Sequence, residues 1–163
     1  GDVYKRQELG VRPLRWREWV FAAWALALVL ALQGLYQLVL IAIHQQNHIQ
    51  AGFEHFKVAS PVTATLVLIN GALIAPALEE LFFRGLIFNA LVTRLPVLAA
   101  ALISGALFGA MHGDLVLFPV LTLFGMVQAI VYRASGNLVV PMIVHAANNA
   151  IFLSLMIAIP GFH

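Results

Sequence analysis

The sequence predicts an all-α, polytopic membrane helix bundle with about five spanning segments, one of them kinked or divided near Pro76. Three observations carry this. Of the 163 residues, 62% are hydrophobic and only 10% charged, where a soluble domain carries about 25% charged residues. The mean hydropathy is +0.94, so the few charges present cannot cover the surface of a water-soluble globule, and a chain this apolar is not disordered. The apolar residues also fall in long runs of about spanning length, with bases concentrated at the ends of some of them. A net charge of +2 is too small to suggest a nucleic-acid partner, despite a pI near 9.4. The absence of cysteine excludes disulfides, thiolate metal sites and cysteine nucleophiles. The chain opens on Gly1 rather than Met, as expected of a fragment or a processed product.

Val20 to Ile43 is the first run, without a charge, preceded by Arg12, Arg15 and Arg17 and flanked by Trp16 and Trp19 at the expected interface. It is too long for the apolar region of a cleavable signal peptide. A polar connection follows from His44 to Ser60. Pro61 to Leu78 is the second run, and it continues through the charged segment Glu79 to Arg84 as far as Arg94. As one helix, 61–94 would be about 51 Å long against a ~30 Å hydrocarbon core, which is why Pro76 is expected to kink or divide it. The third run is Val97 to Met111, the fourth Leu115 to Tyr132, and the fifth Leu138 to Ile159. Gly105 and Gly109 form a GxxxG pair that lets the third helix approach a neighbour closely. Gln33 and Gln37, one turn apart on the first run, are expected to bridge helices. Asp114 reads as an interfacial acid in a turn, and His44, His48, His55 and His163 as solvated or interfacial.

With the N-terminus inside, the bases of the short connections divide seven to one in favour of the cytoplasmic side, with Arg84 left aside as intramembrane. The expected location is the cell membrane, as a multi-pass protein. The expected organisation is an N-terminal part, 1–60, with the basic segment, first helix and polar loop, and a membrane catalytic domain, 61–163.

Ionisable groups within a spanning helix cost from ~2.5 kcal/mol upward, so those present are the informative residues. Glu79, Glu80 and Arg84 interrupt an apolar run. His112 ends the third run, and His145, Asn148 and Asn149 lie inside the fifth. Glu80 and Arg84 are i,i+4 and stack on one helix face as an ion pair, whereas Glu79 points about 140° away from Arg84, free to face another helix. His145 and Asn149 also share a face. A lone carboxylate in a dry interior suits a general base, and imidazole or amide groups can hold water or donate to an oxyanion. Depth is the difficulty: counted from the inner ends of their runs, His112 lies ~22 Å in and His145 only ~10 Å.

Taken together, Glu79-Glu80-Leu81-Phe82-Phe83-Arg84, Phe108-Gly109-Ala110-Met111-His112 and His145-Ala146-Ala147-Asn148-Asn149 resemble the EExxxR, FxxxH and HxxxN motifs of the CPBP family of intramembrane proteases. That family includes the type II CAAX prenyl endopeptidases and bacteriocin-processing and self-immunity proteins. The resemblance covers roughly Pro61 to Pro160. It implies an intramembrane endopeptidase in which Glu79 activates the hydrolytic water with help from His112, His145 and Asn149 stabilise the oxyanion, and Glu80 and Arg84 form a supporting pair. It also implies no obligatory cofactor and a peptide or protein substrate, such as a prenylated CAAX tail or a leader peptide, met at the lipid bilayer. Chemistry alone keeps zinc open, since Glu79, His112 and His145 could form a His2Glu site with a position for water, although the HExxH pattern is absent. Two non-hydrolytic readings stand beside it. One is an immunity or scaffold protein binding a peptide or partner helix, and the other a proton-coupled carrier, which small size and the lack of an internal repeat disfavour.

Overall fold

The computed structural model describes residues 10–45 and 60–158. Among them the chain forms five helices and no strand: α1 (Trp16–Ala42), α2 (Pro61–Leu91), α3 (Val97–Met111), α4 (Phe118–Ser135) and α5 (Val139–Ala158). Each expected apolar run is a helix. All but α3 are long and apolar enough to cross a membrane. With 15 residues, α3 reaches about 22 Å, short of a full hydrocarbon core. Most of the polar connection 44–60, with His48 and His55, lies outside the described residues, as does His163.

The inner face of α1 is made of small and branched residues, Ala22, Ala25 and Val29, which pack into one core with Phe83, Phe108, Phe124, Val140 and Val144 from the other four helices. Its outer face exposes Trp16, Trp19, Trp24, Leu28 and Leu35. Large apolar side chains exposed along whole helices are what a lipid solvent requires and what water would penalise. Glu18 closes the first turn by accepting the Arg15 N–H at 2.8 Å and the Arg12 guanidinium at 2.9 Å.

Ser60 caps α2 by accepting the Thr63 N–H at 3.2 Å, with Pro61 in the first turn where a missing donor costs nothing. The irregularity expected at Pro76 takes the form of a change of helical register, not a division. Asn70–Ile74 and Leu81–Phe88 are π-helical, and the helix runs unbroken through both. The Ala75 N–H reaches back to Asn70 O. Pro76, which has no N–H to give, thus falls where the ladder is already changing register.

The Gly105–Gly125 crossing sets the spacing of α3 and α4. A Cβ on Gly105 would lie 2.5 Å from Thr122 O and 2.8 Å from Met126 N, and one on Gly125 would lie 2.7 Å from Gly105 Cα. These are backbone atoms on both sides, so nothing flexible can give way. Gly105→Val is expected to force the pair apart and to lower thermal stability in detergent by about 1–3 kcal/mol or more. Unchanged unfolding would show that the helices part without cost.

Asp114 Oδ1 accepts the Val116 and Leu117 N–H groups, at 2.8 and 3.0 Å, and so builds the turn between α3 and α4, as its reading as a turn residue anticipates. α4 ends on Gly136 in the left-handed region, φ 59°. Asn137 then caps α5 by accepting the Val139 N–H at 3.1 Å, and donates to Arg12 O at 3.1 Å. Because α3 and α4 are antiparallel neighbours, the α2–α3 turn, the α4–α5 turn and the start of α1 share one end of the bundle. Arg12, Arg15, Arg17, Arg94 and Arg133 all lie there, the charge asymmetry on which the positive-inside rule operates.

Candidate functional site

The expensive residues converge where α2 meets α5. Arg84 and Glu80 are both fully buried, with Nε 3.1 Å from Oε2. Their i,i+4 spacing puts this pair on one face, and the side chains meet there. The N–H is poorly aligned with the oxygen, since both atoms lack a hydrogen bond that satisfies normal geometry. Charge and proximity, not one ideal bond, hold the pair. Arg84 Nη2 donates to Gly125 O at 3.1 Å, and the guanidinium lies 5.1 Å from the Phe108 ring centroid and 5.8 Å from that of Phe83. A buried guanidinium thus rests on aromatic faces and a backbone carbonyl as well as on its carboxylate.

His145 stands between the two glutamates. Its Nδ1 is 2.8 Å from Glu80 Oε1, and its Nε2 is 3.6 Å from Glu79 Oε2. With Glu80 charged opposite Arg84, the chemistry assigns the proton to Nδ1, which donates to Glu80 and leaves Nε2 directed at Glu79. The imidazole is walled by ring edges, with centroids at 4.8 Å for Phe124 and 5.7 Å for Phe108. Glu80 has no exposure, whereas the Glu79 side chain is 24% exposed. Two adjacent carboxylates of one helix therefore differ in kind: one is locked in the interior, the other reaches accessible space.

His112 follows the last turn of α3. Its Nδ1 lies 2.9 Å from Phe108 O and its ring 4.8 Å from the Phe108 ring, with the side chain exposed. His112 and His145 therefore sit against the same phenyl ring. Their depths, so different when counted along each helix, need not be measured from one plane.

Asn149 is one turn beyond His145 on the same face of α5, and its Nδ2 donates to Gly71 O at 2.9 Å. Gly71 lies in the first π-helical segment, whose altered ladder presents that carbonyl to α5. Leu153 packs so closely on Gly71 that a Cβ there would lie 2.8 Å from its Cδ1. Asn148 Oδ1 is buried without a partner. The structure thus joins Glu79, Glu80, Arg84 and His145 directly, sets His112 against the phenyl ring that His145 also meets, and ties Asn149 to the backbone of α2. Among the described residues, no group of three or more His, Asp or Glu side chains is gathered as metal ligands.

Sequence reasoning missed several members. Phe108 entered only as a motif position, yet its ring touches Phe83, His112, Phe124, His145 and Arg84. Phe124 and Gly125 of α4 had no signal at all. Ser104, fully buried, donates to Phe83 O at 3.2 Å; a hydroxyl in an apolar run of α3 was the one trace available.

A helical bundle with apolar outer faces and a buried carboxylate–guanidinium–imidazole cluster defines a multi-pass membrane protein with an intramembrane polar site. The chain belongs to the Rce1-like family of type II CAAX prenyl endopeptidases, whose family model matches residues 61–151, a span that holds every motif residue from Glu79 to Asn149. It is also 34% identical over 84 residues to the Bacillus subtilis (strain 168) protein named "Putative membrane peptidase YdiL", a match covering 52% of this chain. The chain spans about a third of the length of that relative, with 34% of it covered. No solved structure matches.

Proposed function

We propose that the protein is an intramembrane endopeptidase that hydrolyses a peptide bond with water activated by Glu79. The observation that carries this reading is the asymmetry of the carboxylates around His145, with Glu80 buried against Nδ1 and Arg84, and Glu79 accessible and facing Nε2. Family membership and the peptidase name of the Bacillus relative support it.

In this mechanism Glu79 takes a proton from water as the oxygen attacks the scissile carbonyl, and later returns it to the leaving amine. Glu80 holds the imidazole in one orientation through Nδ1, and Arg84 holds Glu80 in place. His112, set against the Phe108 ring, helps to hold the water. The oxyanion of the tetrahedral intermediate meets the carboxamide of Asn149, which has a second N–H beyond the one given to Gly71 O, and His145 in its imidazolium form, in which Nε2 as well as Nδ1 carries a proton to donate. The catalytic unit is 61–163, with 1–60 contributing the first helix, and the site lies in the cell membrane. The substrate is a membrane-proximal peptide, a prenylated CAAX tail or a leader peptide, and no metal is required.

The test is cleavage of a panel of fluorogenic peptides, prenylated and unprenylated, by protein in lipid nanodiscs, with and without a zinc chelator. Cleavage that survives chelation is expected. Loss on chelation and recovery with added zinc would convert Glu79, His112 and His145 into candidate ligands. Binding without cleavage across the panel would favour the immunity or scaffold reading.

A further inference from the structure

The first helix carries a polar face made of Gln33, Tyr36 and Gln37, at i, i+3 and i+4. Among the described residues neither glutamine amide bridges to another helix, and Gln33 Oε1 is buried without a partner. The connection is made by the residue between them, whose hydroxyl donates to Val116 O, 80 positions along the chain.

Val116 belongs to the turn that carries His112. The amide side of that turn is satisfied internally: Asp114 Oδ1 accepts the Val116 and Leu117 N–H groups, and Phe118 N–H bonds Asp114 O at 2.9 Å. Its outer side is bare, with Gly113 at φ 69° and Leu115 89% exposed. A turn exposed at these positions opens readily, and apart from that of Tyr36 no side-chain hydrogen bond among the described residues reaches it from another helix. We propose that Tyr36 is a positioning residue, tethering the 112–117 turn to α1 so that His112 stays against the Phe108 ring beside the site. The proposal rests on the role assigned above to His112, and it gives a helix outside the family-matched segment a direct part in that role.

Tyr36→Phe keeps the ring and removes only the donor. Hydrogen exchange in nanodiscs is expected to quicken in peptides covering residues 112–118 and nowhere else. In peptide cleavage, kcat is expected to fall about 3–10-fold with KM unchanged, the loss appropriate to one hydrogen bond. In a His112→Ala background the same substitution is expected to add nothing, since the two act through one group. Exchange unchanged at 112–118 overturns the tether, whatever the activity does. A full additional loss in the His112→Ala background overturns positioning through His112. Wild-type protein that cleaves no peptide overturns the peptidase reading instead, and the exchange measurement then decides the tether by itself.

Discussion

Glu79→Gln is expected to reduce peptide cleavage by about 10²–10⁴-fold while leaving the folded protein intact. The substitution preserves size and hydrogen-bonding reach, so the side chain still faces His145 Nε2 from the 3.6 Å position of the carboxylate. What disappears is the capacity to accept a proton. Because this side chain is 24% exposed and only loosely paired, little stability depends on its charge, and thermal unfolding is expected to match the wild type. The neighbouring position responds differently. Glu80→Gln leaves Arg84 buried without its counter-charge and His145 without its acceptor, so stability and activity fall together. Near-normal turnover by well-folded Glu79→Gln would remove that residue from the role of base.

Arg84→Ala is expected to cost about 3–5 kcal/mol of stability, the usual result when one member of a buried ion pair is removed. Three supports vanish together: the charge opposite Glu80, the bond to Gly125 O on α4, and the contact with the Phe83 and Phe108 rings. Glu80 remains in the interior with His145 as its one partner. A double variant, Glu80→Gln with Arg84→Met, removes the uncompensated charge and refills much of the volume. Its stability is expected to recover in large part, whereas cleavage is not, because His145 no longer has a carboxylate fixing Nδ1. Denaturation of both variants in detergent checks this. An Arg84→Ala protein as stable as wild type would mean that the guanidinium is solvated, contrary to its complete burial.

Much of the architecture was legible because lipid makes a simple demand. A spanning helix must be apolar for about 20 residues and must satisfy its own backbone, so the runs in the sequence mark the helices within about one turn. Departures arise where tertiary contacts intervene. α3 reads as a span by apolarity alone, and it has the expected bounds, but at 15 residues it falls short of a full hydrocarbon core. At Pro76 sequence rules expect a kink or a division, and the irregularity is there as π-helical turns on either side, through which the helix runs unbroken. In the first helix the glutamines looked like the bridging groups, and the tyrosine makes the bridge. Which of three polar residues on one face finds a partner depends on the height of the facing turn, and that height is not written in the spacing.

By itself the sequence determined the helical membrane class, the pairing of Glu80 with Arg84, the turning of Glu79 away from that pair, and the close seat of Gly105. All of these follow from helical periodicity and the cost of polar groups in hydrocarbon, which act over a few residues. Only the tertiary structure decided that His145 divides its two nitrogens between Glu80 and Glu79, that Phe108 is the ring on which both histidines rest, that Asn149 reaches Gly71 O, and that Tyr36 holds the turn after α3. Those contacts join residues tens of positions apart on separate helices. They depend on the depth, tilt and rotation of each helix against its neighbours, which close packing settles and a one-dimensional pattern leaves free.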